Sequence, residues 1–312
     1  MAFDRVLVTG GAGFIGSHTV DRLLENGAEV WVLDDLSTGR LSNLKQWRKN
    51  PKLHLKRGSV TNRRIVNSLT RKVEAVVHLA ALVSPAVSIS HPELTNEINV
   101  SGTVNVLNAA RRSRIGRVVF ASSSSVYGEQ REISIAEDAR LSPITPYGVS
   151  KLAAEQYCRV FHSTYGLGTV ALRYFNVYGE RQSSNPYSGV IAIFARRLSR
   201  GLRPCIHGDG RQTRDFIHVS DVAQANLLAL SSKAAVGQAF NVGTGRAVTI
   251  NGLFREFSAL LRVANIKPRH TAPRDGDIRN SHADITKARK LLGFSPKISL
   301  SRGLALTVGS HS

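Results

Sequence analysis

Seven residues near the start, Gly10-Gly-Ala-Gly13-Phe-Ile-Gly16, set the tightest bound on how this 312-residue chain can fold. They follow the apolar run Val6-Leu-Val8 and precede a helical pattern of Phe14, Ile15, Leu23 and Leu24 that ends at Gly27. Gly11-x-Gly13-x-x-Gly16 meets the dinucleotide-binding spacing, and Gly10-x-x-Gly13-x-x-Gly16 its wider variant. Glycines here let the chain turn tightly, let its backbone approach a pyrophosphate, and leave the helix amides aimed at the anion. The next apolar run ends at Asp34, 18 residues beyond Gly16. A carboxylate there hydrogen-bonds a free 2′-hydroxyl and repels a 2′-phosphate, so NAD is predicted over NADP, with Arg40 near enough to blunt the preference. The alternative is a glycine-rich turn without a ligand.

Further β-branched runs recur at 30–33, 53–55, 75–79, 118–121 and 169–173, with helical segments between them. They are near-continuous rather than alternating, as in strands buried on both faces of a parallel sheet. Strand and helix in alternation predict an α/β fold of the Rossmann type, with a doubly wound parallel sheet. One helix is expected to begin at Pro146, run through Leu152, Ala153 and Tyr157, and stop by Gly166. Beyond residue 176 Gly, Pro, Ser and Arg become frequent and the pattern turns irregular. The predicted division is a dinucleotide-binding domain over 1–175, to which a segment around 216–242 returns, and a smaller α/β substrate domain over 176–312.

Lys and Arg number 42 against 22 Asp and Glu, a net charge of +20, which raises nucleic acid or anionic lipid as partners. Short basic runs such as Arg111-Arg112 and Arg196-Arg197 are scattered and broken by apolar residues, as solvated helix faces are. The expectation is a basic surface that attracts small anionic substrates, with no nucleic-acid and no membrane partner; a polyanion-binding surface is the alternative. Cys158 and Cys205 are the only cysteines, at no metal-ligand spacing and too few for a disulfide framework. The first strand-like run begins almost at Met1, and no stretch approaches ~18 apolar residues. A soluble cytoplasmic protein without a metal site is expected.

The run 118–121 leads into Ser122-Ser-Ser-Ser125-Val-Tyr127-Gly128, and 20 residues past Tyr127 comes Tyr147-Gly-Val-Ser-Lys151. Positions i and i+4 share a helix face, so the Tyr147 phenol and the Lys151 ammonium are expected side by side. A phenol of ordinary pKa about 10 is a poor base near neutrality, but a lysine and a nicotinamide cation nearby favour its charged form. Ser123, at a strand end facing the ligand crevice, is placed to share a substrate hydroxyl's proton. Tyr-x-x-x-Lys alone arises often by chance. Joined in this order to the glycine pattern and the serine-rich strand end, it resembles the extended short-chain dehydrogenase/reductase family, and specifically its nucleotide-sugar epimerase branch, over nearly the whole chain.

The resemblance implies Tyr147 as the acid/base, Lys151 as the residue that binds the nicotinamide ribose and lowers the tyrosine pKa, and Ser123 as the third member. It implies that Gly10, Gly13, Phe14, Ile15, Gly16, Asp34, Asp35, Ser37, Thr38, Gly39, Val60, Leu79, Ala80, Ala81, Asn99 and Phe175 line the cofactor. Ser59 joins them where the family usually has an Asp for the adenine amino group. Asn176, in Arg173-Tyr-Phe-Asn-Val-Tyr-Gly179, is implied to contact the sugar nucleotide, and Gly189 and Val190 to lie near the uracil. Arg214 and Arg274 are implied to bind the diphosphate, Asp277 the nucleoside ribose, and Ser281 to stand beside the sugar's C2 substituent. From the residues alone, both arginines are equally placed to pair with Asp209, Asp215 or Asp275.

Dehydratases that resemble this chain carry Thr-Asp-Glu at 123–125, and related decarboxylases keep a Glu. Ser123-Ser-Ser125 leaves elimination without its acid and base. The implied reaction is C4 epimerisation of a UDP-hexose, with N-acetylated and uronate forms admitted because Ser281 leaves space. A 4-keto reductase on the same scaffold and a non-catalytic NAD-binding protein are the alternatives. Tyr127, Tyr165 and Tyr178 are expected to be packing residues and His78 a satisfied core histidine. A homodimer through helices near 91–113 and 147–165 is implied by the resemblance.

Overall fold

The computed structural model describes residues 2–130, 132, 134–182, 189–263, 265–273 and 278–309. Apolar side chains that fall on both faces of successive strands bury a seven-stranded parallel sheet. Its strands are β1 (Arg5–Thr9), β2 (Glu29–Asp34), β3 (Leu53–Arg57), β4 (Ala75–His78), β5 (Arg117–Ser123), β6 (Thr169–Tyr174) and β7 (Gln238–Val242). Their spatial order is 3-2-1-4-5-6-7 and every ladder is parallel. The order reverses between β1 and β4, so a crevice opens at their carboxyl ends.

Val6, Val8 and Val77 pack on one side against α1 (Phe14–Glu25) and a later helix, Val219–Ser231. Leu7, Val76, Val118 and Phe120 pack on the other. There they meet α2 (Arg63–Thr70), α3 (Gly102–Arg112) and α4 (Pro146–Tyr165). Each such Val or Leu contributes about 1.5–3 kcal/mol when fully buried. Residues 53–55 depart from the expected two-sided burial. β3 is the outermost strand, bonded only to β2, and Leu55 stays 49% exposed.

α4 begins at Pro146, whose missing N–H costs nothing in a first turn. The Thr145 hydroxyl accepts from the Gly148 amide at 3.1 Å, and Gly166 ends the helix at φ 67°. Beyond β6 the chain makes a third apolar cluster, with Ile191, Phe194, Leu253 and Phe257 at its centre. Short two-stranded ladders surround it: Asn176–Tyr178 with Phe216–His218, and Thr213–Arg214 with Val248–Thr249. Ser134–Ile135 and His282–Ala283 form a separate ladder, within a fourth cluster that includes Val126 and Phe175. Among the described residues no helix is long and apolar enough to cross a membrane.

Candidate active site

The glycine loop crosses the carboxyl end of β1. Gly10 sits at φ 70°, where an added Cβ would stand 2.9 Å from the Ala80 amide nitrogen. A Cβ on Gly16 would strike the Gly10 carbonyl oxygen, whereas one on Gly13 would meet only that oxygen, at 3.1 Å. The rest of the space above Gly13 is therefore open. Gly13 caps α1 with no side chain, leaving the first-turn amides of Phe14, Ile15 and Gly16 for an anion.

Asp34 ends β2 with its carboxylate turned into this loop. Oδ2 accepts from the Ala12 amide at 2.9 Å and Oδ1 from the Leu36 amide at 2.8 Å. Burial pushes its pKa up while the Leu36 and Ala12 amides oppose that. The Gly13 amide also bears on this carboxylate, which keeps lone-pair capacity for a ribose hydroxyl. Gly39 lies against this carboxylate, leaving 2.6 Å between an added Cβ and Oδ1. Asp35 Oδ1 accepts from the Ser37 amide and hydroxyl at 2.9 and 2.6 Å, and Thr38 is exposed beside them. After β4, the Leu79 and Ala80 amides both donate to Thr9 Oγ1 at 3.2 Å, and Ala81 follows half-buried. This cradle fits a dinucleotide.

Other residues implied at the cofactor play a visible internal part. Asn99 is buried, donating to the Leu82 carbonyl at 3.0 Å and Ser150 Oγ at 2.9 Å while accepting from the Leu82 amide at 2.8 Å. It sits in a π-helical turn, Glu97–Ser101, and fastens the loop after β4 to α4. Ser59 Oγ pairs with Thr61 Oγ1 at 2.9 Å, Val60 is buried, and Phe175 packs by Tyr127. His78 has both ring nitrogens engaged, by Thr9 Oγ1 at 2.7 Å and Thr103 Oγ1 at 3.0 Å. Burial holds its pKa down to about 3.

β5 ends at Ser123, whose Oγ accepts from the Ser125 amide at 3.1 Å and so caps a short turn, Ser124–Val126. The start of α4 presses on that turn: a Cβ on Gly148 would lie 2.7 Å from the Ser125 carbonyl oxygen. This brings the buried Tyr147 phenol close to Ser123, whose hydroxyl donates to Ser125 Oγ at 3.1 Å, while the Tyr147 amide donates to Ser88 Oγ at 3.0 Å. One turn on, Lys151 is buried on the same face. Its ammonium donates to the Ala121 carbonyl of β5 at 2.8 Å and lies over the Phe120 ring. Tyr147 and Lys151 thus share one face of α4, with the lysine ammonium held on the strand backbone. Burial pushes the Tyr147 pKa up and the neighbouring Ser123 side chain draws it back; burial holds Lys151 down to about 8.

Beneath this pair lies a polar network that spacing alone did not single out. Glu155 continues the row Tyr147, Lys151, and accepts from Ser122 Oγ at 2.6 Å. It also takes the Arg173 Nε and Nη2 of β6, both side chains being almost fully buried. Arg173 Nη1 donates to Tyr127 Oη and to the Glu137 carbonyl, each at 2.8 Å. Tyr127 Oη donates in turn to Asn241 Oδ1 of β7 at 2.6 Å, and burial pushes its pKa up to about 12. Burial disfavours the Arg173 charge, yet Glu155 and Tyr127 hold its pKa above the ordinary value. Tyr127 is therefore a network member as well as a packing residue. Tyr178 is buried, and Tyr165 is half exposed under Arg111.

The residues implied at the substrate stand on short pieces. Asn176 donates its amide to the Asp215 carbonyl at 3.0 Å, and Gly189 caps the helix Val190–Leu198. Arg214 Nη1 donates to the Thr213 carbonyl at 2.7 Å. Asp209 holds Arg279 through two hydrogen bonds of 2.8 and 3.0 Å. Asp215 is buried and accepts from the Thr244 amide and hydroxyl and from the Gly245 and Ala283 amides. Ser281 is buried next to a segment tied down by Thr213, whose amide reaches the Arg279 carbonyl and whose Oγ1 reaches Asn280 Oδ1 at 3.1 Å. Arg274, Asp275 and Asp277 lie outside the described residues.

Known proteins are similar to this chain in sequence and fold. A putative UDP-glucose 4-epimerase of Methanocaldococcus jannaschii is 40% identical over 305 residues, 97% of each chain. The Thermotoga maritima UDP-glucose 4-epimerase, crystallised with UDP-glucose, is similar at TM-score 0.93 and 39% identity over 98% of both chains. A UDP-N-acetylglucosamine 4-epimerase of Methanobrevibacter ruminantium, in complex with UDP-N-acetylmuramic acid, is similar at TM-score 0.95 and 37% identity over 100% of this chain and 99% of that one. Residues 6–243, from the first strand of the glycine cradle through β7, match the NAD dependent epimerase/dehydratase family, and the chain belongs to that family.

Proposed function

We propose that this enzyme interconverts the C4 epimers of a UDP-hexose through a 4-keto sugar. One observation carries the reading: the buried Tyr147 phenol stands beside Ser123 at the end of β5, next to a serine turn that offers no carboxylate at 124 or 125. NAD+, held by the glycine loop and Asp34, supplies the acceptor for the C4 hydrogen and its return. Tyr147 takes the proton of the 4-hydroxyl and later gives it back, and Ser123 hydrogen-bonds the same oxygen. Lys151, anchored on the Ala121 carbonyl, adds the positive charge that favours the ionised phenol. Dehydration would need a further acid and base at neighbouring sugar carbons, and Ser124 and Ser125 cannot provide them.

Arg214, with Arg274, is assigned to the diphosphate, since guanidinium groups suit bidentate phosphate contacts. Asp277 is assigned to the nucleoside ribose, Gly189 and Val190 to the uracil, and Asn176 to the sugar. Ser281, small and buried, leaves room for a C2 acetamido group, and a carboxylate at C6 is admitted as well. Similarity to an epimerase of N-acetylated sugars supports this breadth. Ser281→Tyr should then remove activity on UDP-N-acetylglucosamine while sparing UDP-glucose; equal loss on both would contradict it. A homodimer is part of the proposal, through the exposed Leu94, Val149, Tyr157 and Val160 on the helices near 91–113 and 147–165, and a cytoplasmic location suits the two free cysteines.

The test is to incubate the protein, without added nicotinamide, with UDP-glucose, UDP-N-acetylglucosamine and UDP-glucuronate separately, following anomeric protons by NMR. The C4 epimer of at least one should appear. If none changes while the protein binds NAD, the epimerase assignment fails and a reductase consuming free NADH takes its place.

A further inference from the structure

The net charge is concentrated in one place. Between Asp35 and Glu74 lie 38 residues with eleven lysines and arginines and no aspartate or glutamate, so this stretch supplies eleven of the 20 excess positive charges. All eleven, from Arg40 to Lys72, are exposed. Among the described residues none of them is ion-paired with a carboxylate. The stretch forms the turn after β2, the edge strand β3 and α2, all at the open end of the sheet. Lysines on an edge strand also deter edge-to-edge pairing, but that accounts only for Lys56 and its neighbour Arg57.

Two large aliphatic side chains stand exposed among these cations, Leu41 at 55% and Leu55 at 49%. The stretch has a single aromatic of the Phe, Trp or Tyr kind, Trp47, and its indole nitrogen is bonded to Asp21 at 2.8 Å. Exposed aromatic platforms, on which single-stranded bases stack, are therefore missing from it. α2 packs Val66 and Leu69 into the core against α3, so it is not a free helix for a duplex groove. A layer of anionic lipid headgroups asks instead for many unpaired cations with a few aliphatic side chains between them.

We propose that the β3 edge is a peripheral docking surface for an anionic lipid membrane. It binds the phosphate and carboxylate headgroups through the cations of 40–72 and seats Leu41 and Leu55 at the acyl boundary. The surface acts independently of the chemistry proposed for Tyr147.

The full-length protein is sedimented with phosphatidylcholine vesicles, with and without phosphatidylserine, at about 0.15 M ionic strength. Binding is expected only with phosphatidylserine. Arg48→Glu/Lys49→Glu/Lys56→Glu should weaken it about tenfold or more, with epimerase turnover unchanged. A control of equal net charge, Arg200→Glu/Lys233→Glu/Lys290→Glu, should bind nearly as the parent does. Should the reversed variant not fold, the same three positions changed to Gln give the milder version of the comparison. Leu41→Ser/Leu55→Ser should weaken binding without altering its salt dependence. The proposal is overturned if phosphatidylserine vesicles are not bound, if the control loses as much as the edge variant, or if duplex or single-stranded DNA competes the protein off the vesicles at equal charge concentration.

Discussion

Around α4 the polar groups of the site are buried and tied to one another. Tyr147, Lys151 and Glu155 descend one helix face and meet Ser123, Ala121 and Ser122 of β5 in turn. By contrast, Asn176, Arg214 and Ser281 sit on or beside ladders of two or three residues, and Asn176 and Arg214 remain half-buried. The difference is physical. Moving a proton needs donor and acceptor fixed to a fraction of an ångström, which buried, mutually satisfied groups provide. The nucleotide binding and sugar choice proposed for these residues need only charge and room, so short pieces suffice there and can change without disturbing the rest.

Substitutions can break that contrast. Tyr147→Phe should cut turnover by about 10²–10⁴-fold, the range for losing a general base, while NAD titration and thermal melting stay near the parent's. Glu155→Gln leaves the Arg173 guanidinium without its buried counter-charge and should lower unfolding free energy by about 3–5 kcal/mol in a denaturant titration. A loss below about 1 kcal/mol would place this pair with surface ion pairs and remove the rigid side of the comparison.

Lys151→Met should abolish catalysis yet relieve the fold, in a pH-dependent way. Burial holds this ammonium down to about 8 from an ordinary 10.5, so the folded chain binds fewer protons than the unfolded one between those values. The penalty is full below pH 8 and fades as pH rises towards 10.5. The stability advantage of Lys151→Met over the parent should follow it, up to about 3 kcal/mol, less what the stranded Ala121 carbonyl costs. An advantage that grows with pH would contradict the assignment. The smallest effect belongs to the nucleotide side: Thr213→Val removes the bond to Asn280 and should cost about 1 kcal/mol, seen as a modest shift in melting.

Much of this was legible in the residues, for identifiable reasons. Strands of a parallel sheet read as apolar runs because both faces are covered, and α4 announced itself with Pro146 and Gly166. The exposure of β3 was hidden, because which strand ends up outermost depends on sheet order rather than on Leu53 or Leu55. The fixed spacing of Gly10, Gly13 and Gly16, and of Tyr147 and Lys151, made the glycine loop and the shared helix face of the tyrosine and lysine readable. Glu155, Arg173, Tyr127 and Asn241 have no such spacing; their one clue is that Glu155 prolongs the i+4 row. Scattered basic runs likewise mask the β3 edge, where the telling signal is the missing acids between Asp35 and Glu74.

In the proposed reaction the C4 hydrogen of the sugar leaves and returns within one binding event while Tyr147 handles the proton. UDP-glucose deuterated at C4, incubated with the protein in ordinary water, tests it most directly. UDP-galactose should form with the deuterium still on C4, and Tyr147→Phe should all but stop its formation. Product carrying solvent hydrogen at C4, or undiminished turnover by Tyr147→Phe, would contradict the account.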